Sequence, residues 1–270
     1  MKLEQLVKKA NDGDKVALEA VITAVQDDIY YLALRMLVNP EDAKDATQEI
    51  LIKIITKLST FQFKSSFKTW VYSVATNYLL TSKKILDKEL SLTFEMYQAD
   101  LESDLESPAE LEQTAEYPLL VNEVRIACTI AMLLCLNQSH RLAYILGDIF
   151  ELDHEEASKT LSMSKENYRK QLSRARAKVT KFIATSCGLV SENAKCACEH
   201  KLKGAIRRGR VQPNRINFAA ECPFTYIEIK QKVSETQEDL KTINMQNLIS
   251  RYKSPKKFGE IIETLMESIE

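Results

Sequence analysis

Turn-forming residues are scarce in this chain, with six Gly and six Pro among 270 residues. Glycine at roughly 2%, against an average near 7%, leaves too few tight-turn positions for a many-stranded sandwich or barrel. The chain is therefore expected to be all-α. Hydrophobic residues at 45% and charged residues at 28% are ordinary for a globular protein and exclude a disordered chain. The net charge of −1 gives no overall attraction to polyanions, so any nucleic-acid surface must come from local patterning. The longest nearly apolar run, Ile126 to Leu136, is short of the ~20 residues that span a bilayer. The opening MKLEQLVKKANDGD has no secretory apolar core. No membrane partner is expected, and the predicted location is cytoplasmic. Cys128, Cys135, Cys187, Cys196, Cys198 and Cys222 read as reduced thiols, because two of them fall inside an apolar helical pattern.

Helical periodicity organises the first third. Leu18, Val21, Ile22, Val25, Ile29, Leu32, Ala33 and Met36 form one stripe, ending near Asn39-Pro40. Pro40 pre-sets the next helix, Glu41, Asp42 and Asp45 suit its positive end, and Ala43, Ala46, Ile50, Ile54 and Leu58 carry its apolar face. After FQFKSS a third helix is predicted from Phe67 through Trp70, Val71, Val74, Ala75 and Tyr78. Residues 1–85 read as one helical domain. Residues 86–118 read as an acidic linker, with ten carboxylates from Asp87 to Glu116 facing only Lys88. Residues 119–184 read as a second helical domain, and residues 185–270 as a basic, cysteine-containing extension of uncertain fold, with one or two short helices after Thr236.

The clearest local signal is HEEASKTLSMSKENYRKQLSRARAKV, residues 154–179. Ala157, Leu161, Met163, Tyr168, Leu172 and Ala175 have the spacing of two short helices crossing at a tight turn, a helix-turn-helix. The second helix is predicted to begin at Lys165 after Ser164 as N-cap. It would present Lys165, Asn167, Arg169, Lys170, Gln171, Arg174 and Arg176 to phosphates and base edges of upstream DNA. The same pattern also suits a surface hairpin with a solvated basic face.

Taken in order and spacing, NPEDAKDATQEILIKI (39–54), SSFKTWVYSVATN (65–77) and LSRAR (172–176) resemble bacterial RNA polymerase sigma factors of the extracytoplasmic-function type. The resemblance covers roughly residues 10–84 and 120–183. It implies two helical domains, core RNA polymerase and promoter DNA as partners, and no catalytic activity. An anti-sigma factor stays open as a further partner. By the resemblance, Asp42, Asp45, Gln48, Glu49 and Lys53 would dock on core polymerase. Carboxylates on one exposed helix face suit charge-assisted pairing with a partner's Arg and Lys.

Phe61, Phe63, Lys64, Ser65 and Ser66 fall where the family captures a flipped base of the start-proximal promoter element. Lys68, Thr69, Trp70 and Asn77 open and line the helix that follows Phe67. Aromatic faces, small polar groups and Lys are what unstacked bases and backbone require. Trp70 also shares an apolar stripe with Val71 and Val74, whereas Phe61 and Phe63 in a polar loop are expected to resist burial. Departures from the family pattern are a thin basic tract (Lys83, Lys84), Thr76 where a basic residue is common, Ser158 for a small Ala, and Gln171 for Arg.

In CGLVSENAKCACEH, Cys187, Cys196, Cys198 and His200 are candidate zinc ligands, a thiol cluster or inert cysteines. The spacing is not a standard knuckle. No metal or other cofactor is expected. The basic run Lys195 to Arg215 has two electrostatic destinations, flanking DNA or polymerase on one hand and the acidic linker on the other. The first is favoured, because ordering an acidic linker costs entropy. A helix-turn-helix regulator acting without polymerase is the alternative reading. It accounts for 154–179 but not for the acidic helix or the aromatic loop.

Overall fold

The computed structural model describes residues 3–81, 92–237, 240–249 and 252–254. Lys83, Lys84, Asp87, Lys88 and Glu89 lie outside the described residues. Twelve α-helices and no strand occur among the described residues, as the scarcity of turn residues requires. The chain divides into two compact units. The first takes in the described residues of Met1–Lys88, Leu152–Arg169 and Arg251–Glu270, and the second those of Glu89–Glu151 and Lys170–Ser250.

In the first unit, α1 (Leu3–Asn11) packs on α2 (Lys15–Leu37), which packs on α3 (Pro40–Lys57), and α4 (Phe67–Thr81) closes over both. Asp14 caps α2 by accepting the Ala17 N–H at 3.0 Å. At the other end Val38 turns into the left-handed region at φ 66°, and Asn39 then caps α3, its Oδ1 accepting from Glu41 N and Asp42 N at 2.9 and 3.2 Å. The first two predicted stripes are buried in full, Ile22, Ile29, Leu32, Ala43, Ile50 and Ile54 completely so. On α4, Phe67, Val71 and Ala75 are core, whereas Trp70, Val74 and Tyr78 are half-buried.

The helix-turn-helix forms where the spacing places it. Asp153 caps α8 (His154–Thr160), accepting from Glu155 N and Glu156 N at 2.8 and 2.9 Å, and α9 (Lys165–Ser186) follows. Ser164 is the N-cap side chain, accepting from Asn167 N at 3.2 Å. Helix α8 lies against α4, with the Thr76 hydroxyl 3.5 Å from the Thr160 carbonyl. Thr76 and Thr160 are fully buried and Ser158 nearly so, and the burial of Thr76 explains its departure from the family pattern, since the contact has no room for a long basic side chain.

The second unit is built around α6 (Tyr117–Ala131), with α5 (Phe94–Glu102), α7 (Gln138–Tyr144), a π-helical turn at Ile145–Ile149, the body of α9, and α10 (Cys198–Arg207), α11 (Tyr226–Ser234) and α12 (Lys241–Asn247). Tyr117–Cys135 is long and apolar enough, by length and composition, to cross a membrane, a longer run than the sequence reading recognised. Most of it is buried within the unit, and its polar members have protein partners. Arg125 Nε donates to Asn122 Oδ1 at 2.7 Å, and Asn122 Nδ2 donates to the Phe224 carbonyl at 3.0 Å. Glu123, 1% exposed, accepts the backbone N–H groups of Asn217, Phe218 and Ala219 at 2.8, 2.9 and 2.7 Å. Of the region read as an extension, residues 185–249 thus contribute to the core of this unit.

The acidic segment is also built in. Helix α5 is capped by Thr93, its Tyr97 hydroxyl donates to the Cys128 carbonyl at 2.9 Å, and the Tyr97 ring stacks on Phe182 at 5.7 Å. From the last turn of α5 onward the carboxylates meet the basic run, for which DNA or polymerase was the favoured destination. Glu102 pairs with Lys195 and Glu110 with Lys203, both at 2.9 Å, Glu106 pairs with Arg207, Asp100 with Arg208 and Arg210, and Asp104 with Arg208. The Lys201 ammonium donates to the Asp100 and Ser103 carbonyls. Gly204 lets the backbones touch, since a Cβ there would stand 2.9 Å from Asp104 Cβ. The density of these pairs and the close backbone contact offset the ordering entropy that argued for the other destination.

Hydrogen bonds from Arg210 to Asp100, from Gln98 and then Lys195 to Glu102, from Arg207 to Glu106 and from Lys203 to Glu110 hold all four carboxyls below their usual range. Groups depressed on folding contribute stability above their unfolded values of about 4, and that stability is lost as pH falls through the lower folded values. The melting midpoint of the second unit is therefore expected to fall when pH is taken below about 4. It should also fall at pH 7 when salt is raised to about 1 M, since several of these pairs are exposed. Circular dichroism melts across pH 2.5–7 check this, and a midpoint insensitive to both changes would show that the pairs contribute nothing.

Candidate functional site

Helix α3 presents the acidic face that its sequence predicts. Asp45, Glu49 and Lys53 are exposed, Asp42 and Gln48 half-buried, while Ala43, Ala46 and Ile50 point into the core. An open depression of about 360 Å³ is lined by Leu37, Asp42, Asp45, Ala46, Gln48, Glu49 and Tyr78. Lys53 lies over the Tyr78 ring at 5.7 Å, at the edge of this surface. Four of the five residues read as polymerase contacts thus line a single concave surface, with an apolar floor and a carboxylate rim.

The loop before α4 departs from expectation. Phe61 is 4% exposed, because Phe67 and Trp70 surround it at 5.3 and 5.6 Å and give an aromatic ring in a polar loop somewhere to go. Phe63 packs against Phe61, ring centroids 4.6 Å apart and tilted by 50°, but stays 40% exposed, at φ 58°, with Lys8 over its ring at 5.3 Å. Lys64 and Ser66 are exposed and Ser65 half-buried. Ser66 Oγ accepts from Thr69 N at 3.1 Å and lies 2.7 Å from the Thr69 hydroxyl, which is buried. Ser66 and Thr69 thus serve the helix start. Lys68 pairs with Asp28 at 2.9 Å, and Asp28 also accepts from the Tyr72 hydroxyl at 3.0 Å. Of the predicted start-proximal set, Phe63, Lys64, Ser65, Ser66, Lys68, Trp70 and Asn77 keep some exposure, Lys68 while paired with Asp28. Phe61 and Thr69 are buried within the fold.

On α9, Lys165, Asn167, Arg169, Lys170 and Arg174 are exposed. Gln171 is half-buried, with its Oε1 buried and lacking a hydrogen-bond partner. Arg176 is bound to Asp148. Lys178 and Lys181, which the sequence reading passed over, are exposed and continue the spacing of Asn167, Lys170 and Arg174 along one face.

The cysteines are free thiols. Burial pushes the Cys187 and Cys196 thiols up to about 12 and holds Cys198 well above its ordinary value, so they are protonated, poor nucleophiles. His200 is exposed. No group of three or more His, Cys, Asp or Glu among the described residues is placed to hold a metal ion.

Part of the first unit is similar to a known family. Residues 21–84 match Sigma-70 region 2. The region 2 match takes in most of α2 and all of α3 and α4, and with them the acidic depression and the aromatic loop. The chain is similar to the ECF RNA polymerase sigma factor SigW of Bacillus subtilis (strain 168), at 34% identity over 89 residues, 33% of this chain and 46% of that protein. It is similar to the RNA polymerase sigma-H factor of Pseudomonas aeruginosa, at 35% over 74 residues, 27% of this chain and 38% of that protein. The chain therefore spans less than half the length of these two curated relatives. The ECF RNA polymerase sigma factor SigE of Mycolicibacterium smegmatis is 25% identical over 186 residues, 67% of this chain and 68% of that protein.

Proposed function

We propose that the chain is a sigma factor of the extracytoplasmic-function type, which binds core RNA polymerase in the cytoplasm, directs it to promoters and assists melting, without making or breaking a covalent bond itself. The observation that carries this reading is the region 2 match lying over the acidic depression of α3. In the mechanism that follows, Asp42, Asp45, Gln48 and Glu49 hold a basic helix of the polymerase. Charge-assisted pairs supply steering and register, and the apolar floor at Leu37, Ala46 and Tyr78 supplies buried area. Phe63 and Trp70 offer faces to an unstacked base, and Lys64 and Asn77 meet the backbone and base edges. Asn167, Lys170 and Arg174 on α9 meet the upstream duplex, with Lys178 and Lys181 extending the phosphate contacts.

Run-off transcription with purified core polymerase on a promoter library tests the proposal. Promoter-dependent transcripts that require this chain are expected, together with its co-elution with core polymerase. A chain that binds duplex DNA but neither co-elutes nor yields transcripts would overturn the reading in favour of a regulator acting alone.

A further inference from the structure

Arg176 was expected among the residues that meet DNA, but it lies nine residues beyond Asn167. At 3.6 residues per turn that is about half a turn round α9 from the stripe of Asn167, Lys170 and Arg174. Its guanidinium is occupied. Nε donates to both carboxylate oxygens of Asp148 at 2.9 Å each, and a terminal nitrogen donates to one of them as well. The Asp148 side chain is 2% exposed, whereas Arg176 is 46% exposed. A buried carboxylate held by a planar fork fixes both distance and direction, unlike a surface pair between flexible side chains.

Asp148 sits in the π-helical turn Ile145–Ile149, where Phe150 N donates to the Ile145 carbonyl at 2.8 Å. Single π-turns inside helices recur at functional positions. The preceding turn is itself fixed, since buried Arg141 donates to the Leu133 and Leu136 carbonyls at 2.9 Å. The base of the pair is thus rigid on the α7 side, and the other end grips α9 two residues beyond Arg174.

We infer that Arg176 and Asp148 are positioning residues: their pair sets the orientation of α9, so that Lys170 and Arg174 reach DNA together, and Arg176 itself makes no phosphate contact. This rests on the proposed promoter-binding role of α9.

The test uses the full chain and an upstream promoter duplex, with affinity measured against salt for Arg174→Ala, Arg176→Ala, Asp148→Asn and the uncharged pair Asp148→Asn/Arg176→Gln. Arg174→Ala should reduce the salt slope by about 0.9, one counterion's worth. Arg176→Ala and Asp148→Asn should each lower affinity roughly tenfold, the scale of a lost charge-assisted hydrogen bond, with the slope unchanged. The uncharged pair should recover part of that loss. For Asp148→Asn the sign decides. Removing a carboxylate and freeing Arg176 would raise affinity if Arg176 were a phosphate contact, and a rise there, or a shallower slope for Arg176→Ala, overturns the inference. Hydrogen exchange of residues 170–186 without DNA reads the lock independently. Asp148→Asn should speed exchange there while the far-ultraviolet spectrum is retained, and unchanged exchange would overturn the positioning role. A wild-type chain with no salt-dependent duplex binding would instead remove the promoter-binding reading, leaving the exchange result to decide whether the lock exists.

Discussion

Truncation after Ala184 is expected to unfold the second unit. The deletion removes Leu202, Phe218, Ile229 and Val233, all nearly or fully buried. At about 1.5–3 kcal/mol for each such side chain, the loss is comparable to the whole stability of a domain, about 5–15 kcal/mol. It also strips Glu123 of its three backbone donors and leaves a carboxylate on a newly exposed apolar face of α6. Circular dichroism should show a large loss of helix, and hydrogen exchange should show α6 amides unprotected. Transcription should fall at every salt concentration. A truncated chain that keeps α6 protected would show that the segment is an accessory after all.

Asp45→Arg combined with Glu49→Arg is expected to weaken binding to core polymerase by at least about a hundredfold under the proposed function, since juxtaposed like charges at an interface cost several kcal/mol. Both positions are exposed on α3, and the residues that bury this helix, Ala43, Ala46 and Ile50, are untouched, so the melting curve should stay close to the parent. Fluorescence anisotropy with labelled protein measures the affinity. A folded double variant that binds core polymerase like the parent would remove the docking role of α3.

The first unit was legible because its information is periodic and local. The stripes on α2 and α3, the helix start at Pro40 and the cap at Ser164 each depend on residues within a turn or two. What periodicity could not supply was the destination of long-range polar groups. Glu123 sits inside an apolar helix and gives no local hint that it collects three N–H groups from residues 217–219. A run of carboxylates reads as a solvated linker until its cations are known to lie about a hundred residues later, on and around one short helix. Phe61 was misjudged for a similar reason, because its burial depends on Phe67 and Trp70 folding back over the loop. Arg176 is the exception, where helical spacing alone already set it apart from Asn167, Lys170 and Arg174.

The pairing of Glu123 with residues 217–219, and of residues 100–110 with residues 195–210, also sets an order of assembly on the ribosome. Helices α1 to α4 can begin to pack on one another as soon as they emerge, although the face of α4 that meets α8 waits for residues 154–160. The second unit cannot. At about 5–20 residues per second, the buried face of α6 and the acidic segment wait roughly 5–20 seconds for their partners to be made. Contacts of that sequence separation also make the last step of folding slow. During that interval a nascent chain carries a folded region 2 match, an exposed apolar helix and an uncompensated acidic segment, the combination that holdase chaperones recognise and that the acidic charge itself helps to keep apart from other chains.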